Sequence, residues 1–260
     1  MKTIKLTTIS AVLISSVVLG GTVFAGESGG TRNTDTQIMF EENTEPVDPV
    51  DPTDPTNPVD PVDPIDPEKP IEPGTGGPLS LDYASALNFG KQKIVSTDEE
   101  YFAKTQTIKD KDGTNEREVP LYVQITDNRG TLKGWTLSVK QNGQFKAGEN
   151  VLTGAKIDFL NGVMTTVSES PVPSMVKESF DLTGDGTGAV TNVMAANESE
   201  GSGTYVYQLG NDATKGESVK ISVPGKTIKM KDVAYKTTLT WTLNDIPENP
   251  EVPEIPEVEE

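Results

Sequence analysis

The sequence predicts an all-β protein: an antiparallel β-sandwich or barrel-like domain, preceded by a disordered, polyproline II acidic linker. Three observations lead to this fold class. Apolar residues alternate with polar ones through most of residues 78–247, which is the period of a strand with one buried face. Turn signals such as Asn-Gly separate these runs. Proline recurs at every third position of residues 46–73, which is the period of a polyproline II helix.

The chain begins with a predicted signal peptide, residues 1–25. Lys2 and Lys5 give a basic start, residues 9–19 are apolar or small, and Val23-Phe24-Ala25 resembles a small-x-small cleavage site. The apolar run is short for a membrane span of ~20 residues, and no later segment qualifies. We therefore expect a secreted protein, with no transmembrane segment in the mature chain.

Residues 26–77 are predicted to be a disordered leader followed by an acidic Pro-repeat linker. They carry 13 acidic and 2 basic residues in a chain of net charge −18. A polyproline II rod has no internal hydrogen bonds, so proline does not weaken it. We interpret the repeat as a semi-rigid spacer; a ligand for a proline-binding partner and a cation-binding stripe are the alternatives. The period of three places these carboxylates along one edge of the rod: Asp48, Asp51, Asp54, Asp60, Asp63 and Asp66.

Residues 78–247 are predicted to form one β domain, and residues 248–260 an acidic Pro-rich tail. Within residues 121–126, the odd positions are apolar and are expected to face the core, while the even positions form a polar outer face. The longest alternating run covers residues 235–244. Residues 170–203 are rich in Ser, Gly, Thr and Asn and are predicted to be a long irregular excursion.

The composition removes several classes of chemistry. The chain has no His and no Cys, so it lacks an imidazole base, a thiol nucleophile and a thiolate metal site. A strongly acidic chain is also a poor nucleic-acid binder. Residues 174–177 match S-x-x-K without its companion motifs, and residues 181–186 resemble a calcium loop that lacks its final Glu. Composition alone leaves open carboxylate chemistry, Ser/Lys chemistry, calcium binding and a non-enzymatic role. Since both short motifs are incomplete, we predict no cofactor and no metal, and the acidity predicts no nucleic-acid partner.

Two tryptophans occur in the same local frame, Trp135-Thr136-Leu137 and Trp241-Thr242-Leu243. In a strand, a residue and the one two positions further share a face, so each Trp is expected beside its Leu. Because Trp buries a large area, the two could organise the two halves of the core. The alternative is an exposed aromatic platform that stacks on sugar rings.

These residues, with their surroundings, resemble the WxL domain family of Gram-positive surface proteins, in its short form with a single WxL domain. The resemblance covers residues 79–247. In two respects the chain departs from the family: an acidic tail follows the second motif, and Tyr205 stands where many members carry Trp. The matching runs are Leu87-Asn88-Phe89-Gly90, residues 123–130, Gly134-Trp135-Thr136-Leu137, Gly203-Thr204-Tyr205 and residues 235–247.

The resemblance implies a secreted protein held non-covalently on the Gram-positive cell wall, with affinity for peptidoglycan. As the family motif, Trp135, Leu137, Trp241 and Leu243 are the candidate binding residues, with a structural role as the alternative. A membrane-anchored surface protein and other WxL proteins are further expected partners. The alternative function is docking on that membrane-anchored partner, with little wall affinity of its own. A third class, a carbohydrate-active enzyme, is disfavoured because no acid/base pair of carboxylates can be recognised.

Overall fold

The computed structural model describes residues 30–182 and 188–245, which form strands and turns and contain no helix. In this part of the chain there is accordingly no helix that could cross a membrane. Every strand pair is antiparallel, which confirms the predicted all-β class. The strands are β1 (Val50–Asp51), β2 (Asp54–Val62), β3 (Leu79–Ala84), β4 (Glu99–Phe102), β5 (Gln106–Asp110), β6 (Arg117–Val119), β7 (Leu121–Asp127), β8 (Trp135–Gln141), β9 (Lys146–Ala147), β10 (Asn150–Val151), β11 (Lys156–Phe159), β12 (Gly162–Thr166), β13 (Met175–Val176), β14 (Phe180–Leu182), β15 (Thr191–Ala196), β16 (Gly203–Leu209), β17 (Val219–Val223) and β18 (Leu239–Asn244).

The main core lies among three four-stranded sheets. The β7 sheet has the order β12-β16-β7-β3, the β8 sheet β13-β15-β8-β18, and the β17 sheet β14-β11-β17-β4. Each sheet turns its alternate apolar residues inward, as the period of two predicts. Among these buried residues are Leu121, Val123 and Ile125 of β7, Trp135, Leu137 and Val139 of β8, and Val219, Ile221 and Val223 of β17.

The proline repeat contributes two strands to the fold. β1 pairs with β2, and β2 pairs with β5, in a sheet of order β1-β2-β5-β6. Arg117 of β6 donates to the carboxylate of Asp51 at 2.8 Å, while Lys111 contacts both Asp48 and Asp60. This differs from the free polyproline II rod expected for these residues. Polyproline II and β conformations share one region of backbone space, so the same residues can pair as a strand where their apolar side chains find a partner.

Proline fits into β2 because its nitrogen can face a side where no ladder bond is required. The Val59 N–H donates to the Pro49 carbonyl at 2.8 Å, on the β1 side. Successive backbone nitrogens of a strand point to alternate sides, so the nitrogen of Pro61 faces the β1 side, as that of Val59 does. The pairing of β2 with β1 ends at Pro58, so β1 has no residue opposite Pro61. The missing N–H of Pro61 therefore removes no hydrogen bond from the β2–β5 ladder.

A second apolar cluster, the outer cluster, forms where the proline-repeat sheet covers the outer face of the β7 sheet. Val59 is 0% exposed there, whereas Ile65, in a similar position of the repeat, is 61% exposed. The buried Gln124 side chain accepts a hydrogen bond from the Val50 N–H at 2.7 Å and donates to the Asp48 carbonyl at 3.0 Å. The Gln124 amide thus makes the two hydrogen bonds to the repeat that the backbone of a neighbouring strand would make. The buried members of the outer cluster are Val50, Val59, Tyr83, Ile108, Val119, Tyr122 and Val206.

Two sequence expectations about the domain are wrong. All seven residues of β7 are buried, so the even positions of residues 121–126 do not form a solvent-facing surface. The proline-repeat strands cover that face instead. The described part of residues 170–203 contains β13, β14 and β15, and β15 pairs with β8 inside a sheet. A bulge between Asn192 and Met194 interrupts the period of two, so the alternation of apolar and polar residues did not indicate this strand.

Three sequence predictions concern the terminal segments: the signal peptide, the leader and the acidic tail. The signal peptide, residues 1–25, and the acidic tail, residues 248–260, lie outside the described residues. Residues 30–45 contain neither helix nor strand, and those up to Met39 belong to a unit separate from the one that begins at Phe40. The secreted state and the role of the tail stay predictions.

Candidate functional site

The two W-x-L motifs lie side by side on neighbouring strands. β18 pairs with β8 so that Leu243 stands opposite Leu137 and Trp241 opposite Val139. All of these side chains belong to the main core or pack against it. The expectation that the tryptophans organise two separate halves of the core is therefore wrong, because both serve the β8 sheet.

Trp135 is a core residue. It is 0% exposed, its indole Nε1–H donates to the Gly201 carbonyl at 2.8 Å, and its ring centroid lies 5.8 Å from that of Tyr205. Gly201 has a φ of +77°, and a Cβ there would lie 2.6 Å from the Trp135 nitrogen, so the close approach requires glycine. Leu137 is also 0% exposed. These two motif residues offer no surface to a ligand.

Trp241 and Leu243 have a different position, on an edge strand. They are partly buried and pack against the main core from β18, whose one ladder partner among the described strands is β8. β3, the edge strand of the β7 sheet, lies next to β18 and carries the partly buried Leu79 and Leu81. We call these four partly buried residues, on two neighbouring edge strands, the β3–β18 rim. A contact role for Trp241 and Leu243 stays a prediction.

The outer face of β8 and β18, behind the motifs, is polar. It forms a shallow groove of about 180 Å³, the outer groove. Asn142 braces one end by donating its side-chain N–H groups to the hydroxyls of Thr238 and Thr240 at 3.0 and 2.8 Å. Such hydroxyl, amide and ammonium groups can exchange hydrogen bonds with a polymer rich in hydroxyls and amides. The groove is lined by Ser138, Val139, Lys140, Val190, Thr240, Thr242 and Asn244.

A buried carboxyl group lies beneath the proline repeat. Asp82 is 3% exposed and accepts hydrogen bonds from Ser80 Oγ at 2.5 Å, Thr126 Oγ1 at 2.6 Å and Gln124 Nε2 at 3.0 Å. Burial raises the pKa of Asp82, and these hydrogen bonds oppose that rise without cancelling it. Because Gln124 also holds the backbone of Asp48 and Val50, the carboxylate fixes the orientation of the amide that binds the repeat.

The raised pKa makes Asp82 a source of pH-dependent stability. The folded state binds this proton more tightly than the unfolded state, in which the pKa is about 3.9. The favourable contribution is therefore present below that pH and is lost as the pH rises through the folded-state pKa. In Asp82→Asn this part of the pH dependence should disappear, and stability at neutral pH should equal or exceed that of the wild type. Urea unfolding at a series of pH values checks this.

Asp112→Asn is the control for this series. Asp112 is exposed, and hydrogen bonds from Thr114 lower its pKa, so its contribution has the opposite sign and grows as the pH rises. If Asp82→Asn kept the wild-type dependence of stability on pH, the buried carboxyl would not be its source.

Of the two short motifs noted in the sequence, only S-x-x-K, residues 174–177, lies wholly within the described part of the chain. The Ser174 hydroxyl accepts a hydrogen bond from the Asn197 amide at 2.6 Å. Residues 183–187 of the calcium-like run lie outside the described part of the chain. In residues 30–182 and 188–245, no group of three or more acidic side chains is arranged to hold a metal ion.

Comparison with known proteins identifies the family. A family model described as WxL domain surface cell wall-binding matches residues 27–247. The chain belongs to the WxL family. This is a family of cell-surface binding domains rather than of enzymes, and it places the protein among those that bind the cell wall. The proline repeat lies within the matched range, consistent with its pairing to β5. No curated protein and no solved structure gave a significant match.

In this WxL domain the sequence motif and the exposed polar surface occupy opposite faces of the same two strands. The motif residues hold β8 and β18 against the core, while Thr240, Thr242 and Asn244 face outward from β18. Sequence alternation placed these three side chains outside. It gave no reason to select them, because many strands have polar outer positions and only the paired structure shows a groove.

Proposed function

We propose that this WxL protein is a secreted, non-catalytic surface protein that attaches non-covalently to peptidoglycan, and that the outer groove is its contact face. The observation that carries the proposal is the position of the groove. It is formed by the two strands that contain the W-x-L motifs, and the buried Trp135 and Leu137 fix those strands from the reverse side.

The groove suits a glycan or stem peptide. Its short Ser, Thr and Asn side chains stand on paired strands, so little conformational entropy is lost when they bind. Lys140 supplies a cation that can meet a stem-peptide carboxylate. Residues 78–247 carry 21 acidic and 18 basic residues, so general attraction to anionic wall polymers contributes little.

Cosedimentation of residues 26–260 with bare peptidoglycan sacculi tests the proposal. We expect saturable binding, and about thirtyfold weaker binding for the double variant Thr242→Ala/Asn244→Ala, because two neutral hydrogen-bonding side chains are removed at roughly 1 kcal/mol each. Both side chains are exposed, so the midpoint of urea unfolding should stay unchanged.

The matched control is Thr131→Ala/Ser179→Ala, which removes two exposed hydroxyls outside the groove and should bind as the wild type does. A folded wild-type protein that stays in the supernatant would refute wall attachment by this chain. Equal binding by wild type and Thr242→Ala/Asn244→Ala would refute the groove as the contact face.

The second candidate function is docking on a membrane-anchored surface protein. The β3–β18 rim favours it, because β18 is the edge strand of its sheet in the described structure and has partly buried apolar side chains beside it. A partner strand could extend the β8 sheet there through backbone hydrogen bonds. Retention on cells that expose the partner, with none on bare sacculi, would support docking over direct wall binding.

A further inference from the structure

Two neighbouring loops of the domain expose apolar side chains among lysines. Ile94 lies in the first loop, and Ile228, Met230 and Val233 lie in the second; Ile228 is 72% exposed and Ile94 is 56% exposed. The loops that contain them, residues 85–98 and 224–238, carry six Lys and two acidic residues, although the whole chain has a net charge of −18. One of these acids, Asp232, lies 3.5 Å from both the Lys91 and the Lys231 ammonium groups. We call this surface the lysine patch. It is a local reversal of charge combined with solvent-exposed apolar groups.

The two loops are held together by specific contacts. The Lys229 ammonium donates to the Val95 carbonyl of the first loop at 3.4 Å and to the Pro224 carbonyl at 3.0 Å. The Gly225 N–H donates to the carboxylate of Asp98 at 2.7 Å. A Cβ at Gly225 would lie 2.3 Å from the Ser96 carbonyl oxygen, so the backbones are in close contact. The lysine patch is therefore a built surface rather than two independent loops.

The apolar part of the second loop is also fixed in place. The Met230 N–H donates to the Tyr235 hydroxyl at 3.0 Å, and that hydroxyl donates to the Ile228 carbonyl at 3.4 Å. These bonds close the segment between Ile228 and Tyr235, so the side chains of Ile228 and Met230 are presented outward. Fixing apolar side chains in water gives the isolated domain no benefit, which indicates an external apolar contact.

We propose that the lysine patch docks the domain on the surface of an anionic phospholipid bilayer. Lys91, Lys93, Lys226 and Lys231 are exposed and would lie at the headgroup phosphates. Ile228 and Met230 would enter the boundary between headgroups and acyl chains. A phosphate polymer without lipid would satisfy the lysines and leave these apolar side chains in water. The combination of charges and apolar groups therefore favours a bilayer over a soluble polyanion.

Flotation of residues 26–260 with lipid vesicles tests this proposal. We expect binding to vesicles of phosphatidylcholine mixed with phosphatidylglycerol, little binding to phosphatidylcholine alone, and weakening at raised salt. Lys226→Gln/Lys231→Gln and Ile228→Ser/Met230→Ser should each weaken binding at least about tenfold. The exposed control variant Lys133→Gln/Val172→Ser removes a lysine and a valine outside the patch and should bind as the wild type does.

Three outcomes would overturn the proposal. The first is a folded wild-type protein that does not float with the anionic vesicles. The second is unchanged binding by Ile228→Ser/Met230→Ser, which would reduce the contact to phosphate alone. The third is equal binding to neutral and anionic vesicles. The sacculus assay uses a different surface and different variants, so this proposal and the peptidoglycan proposal fail independently.

Discussion

Replacing Trp135 with alanine is expected to lower the free energy of unfolding by about 3–5 kcal/mol, the range for truncating a buried aromatic side chain. Trp135 is 0% exposed, packs on Tyr205, and its indole donates to the Gly201 carbonyl. The truncation leaves a cavity and also an unpaired carbonyl, so both effects act in one direction. Small domains have a total stability of about 5–15 kcal/mol, so the variant should lie close to its folding threshold. Urea unfolding followed by tryptophan fluorescence and circular dichroism measures the change.

Trp241→Ala provides the comparison within the same motif pair. Trp241 is partly buried on the edge strand β18, so we expect a smaller loss of about 1–2 kcal/mol. Trp135→Phe keeps most of the apolar volume and tests the hydrogen bond to Gly201 separately. Equal destabilisation by Trp135→Ala and Trp241→Ala would contradict the difference in burial. If Trp241→Ala stays folded and loses sacculus binding, Trp241 is a contact residue as well as a packing residue.

The period of two identified the main core because strands obey that geometry strictly. Leu121, Val123 and Ile125 are buried as expected, as are the Trp and Leu of the first W-x-L motif. The period could not show that the other face of β7 is also covered. Tyr122 carries a hydroxyl, which is common at surface positions, and its burial depends on a sheet that includes β1 and β2 of the distant proline repeat. Alternation reports the faces of one strand and not what lies against them.

The proline repeat was the least predictable part for a related reason. Its period of three matches neither face of a strand, and proline is generally rare in paired strands. Val59 and Ile65 look equivalent in the sequence, yet only Val59 reaches the outer cluster. The candidate site was also only partly predictable. Sequence singled out Trp241 and Leu243, but the groove behind them arises from the register of β8 against β18.

Val59→Ala is expected to lower the free energy of unfolding by about 2 kcal/mol, since two buried methyl groups are lost and a cavity remains. Ile65→Ala is the matched control, because Ile65 is 61% exposed in the same repeat and its truncation should change stability by less than about 0.5 kcal/mol. Equal effects at the two positions would show that the repeat does not dock as described. Thermal and urea unfolding of residues 26–260 measure both variants.

A chain that begins at residue 78 is expected to lose far more stability than any single substitution in the repeat. It would lack β1 and β2, expose the apolar residues of the outer cluster on β5, β6 and β7, and leave the Gln124 amide without the backbone groups of Asp48 and Val50. We therefore propose that the folded unit includes the repeat, and expect residues 40–247 to unfold cooperatively while residues 78–247 bind a hydrophobic dye and aggregate. The same unfolding midpoint for both chains would instead make the repeat a detachable linker. Equal midpoints would also permit wall and vesicle assays on the shorter chain. If the shorter chain is destabilised as expected, its loss of binding would report only its loss of folding.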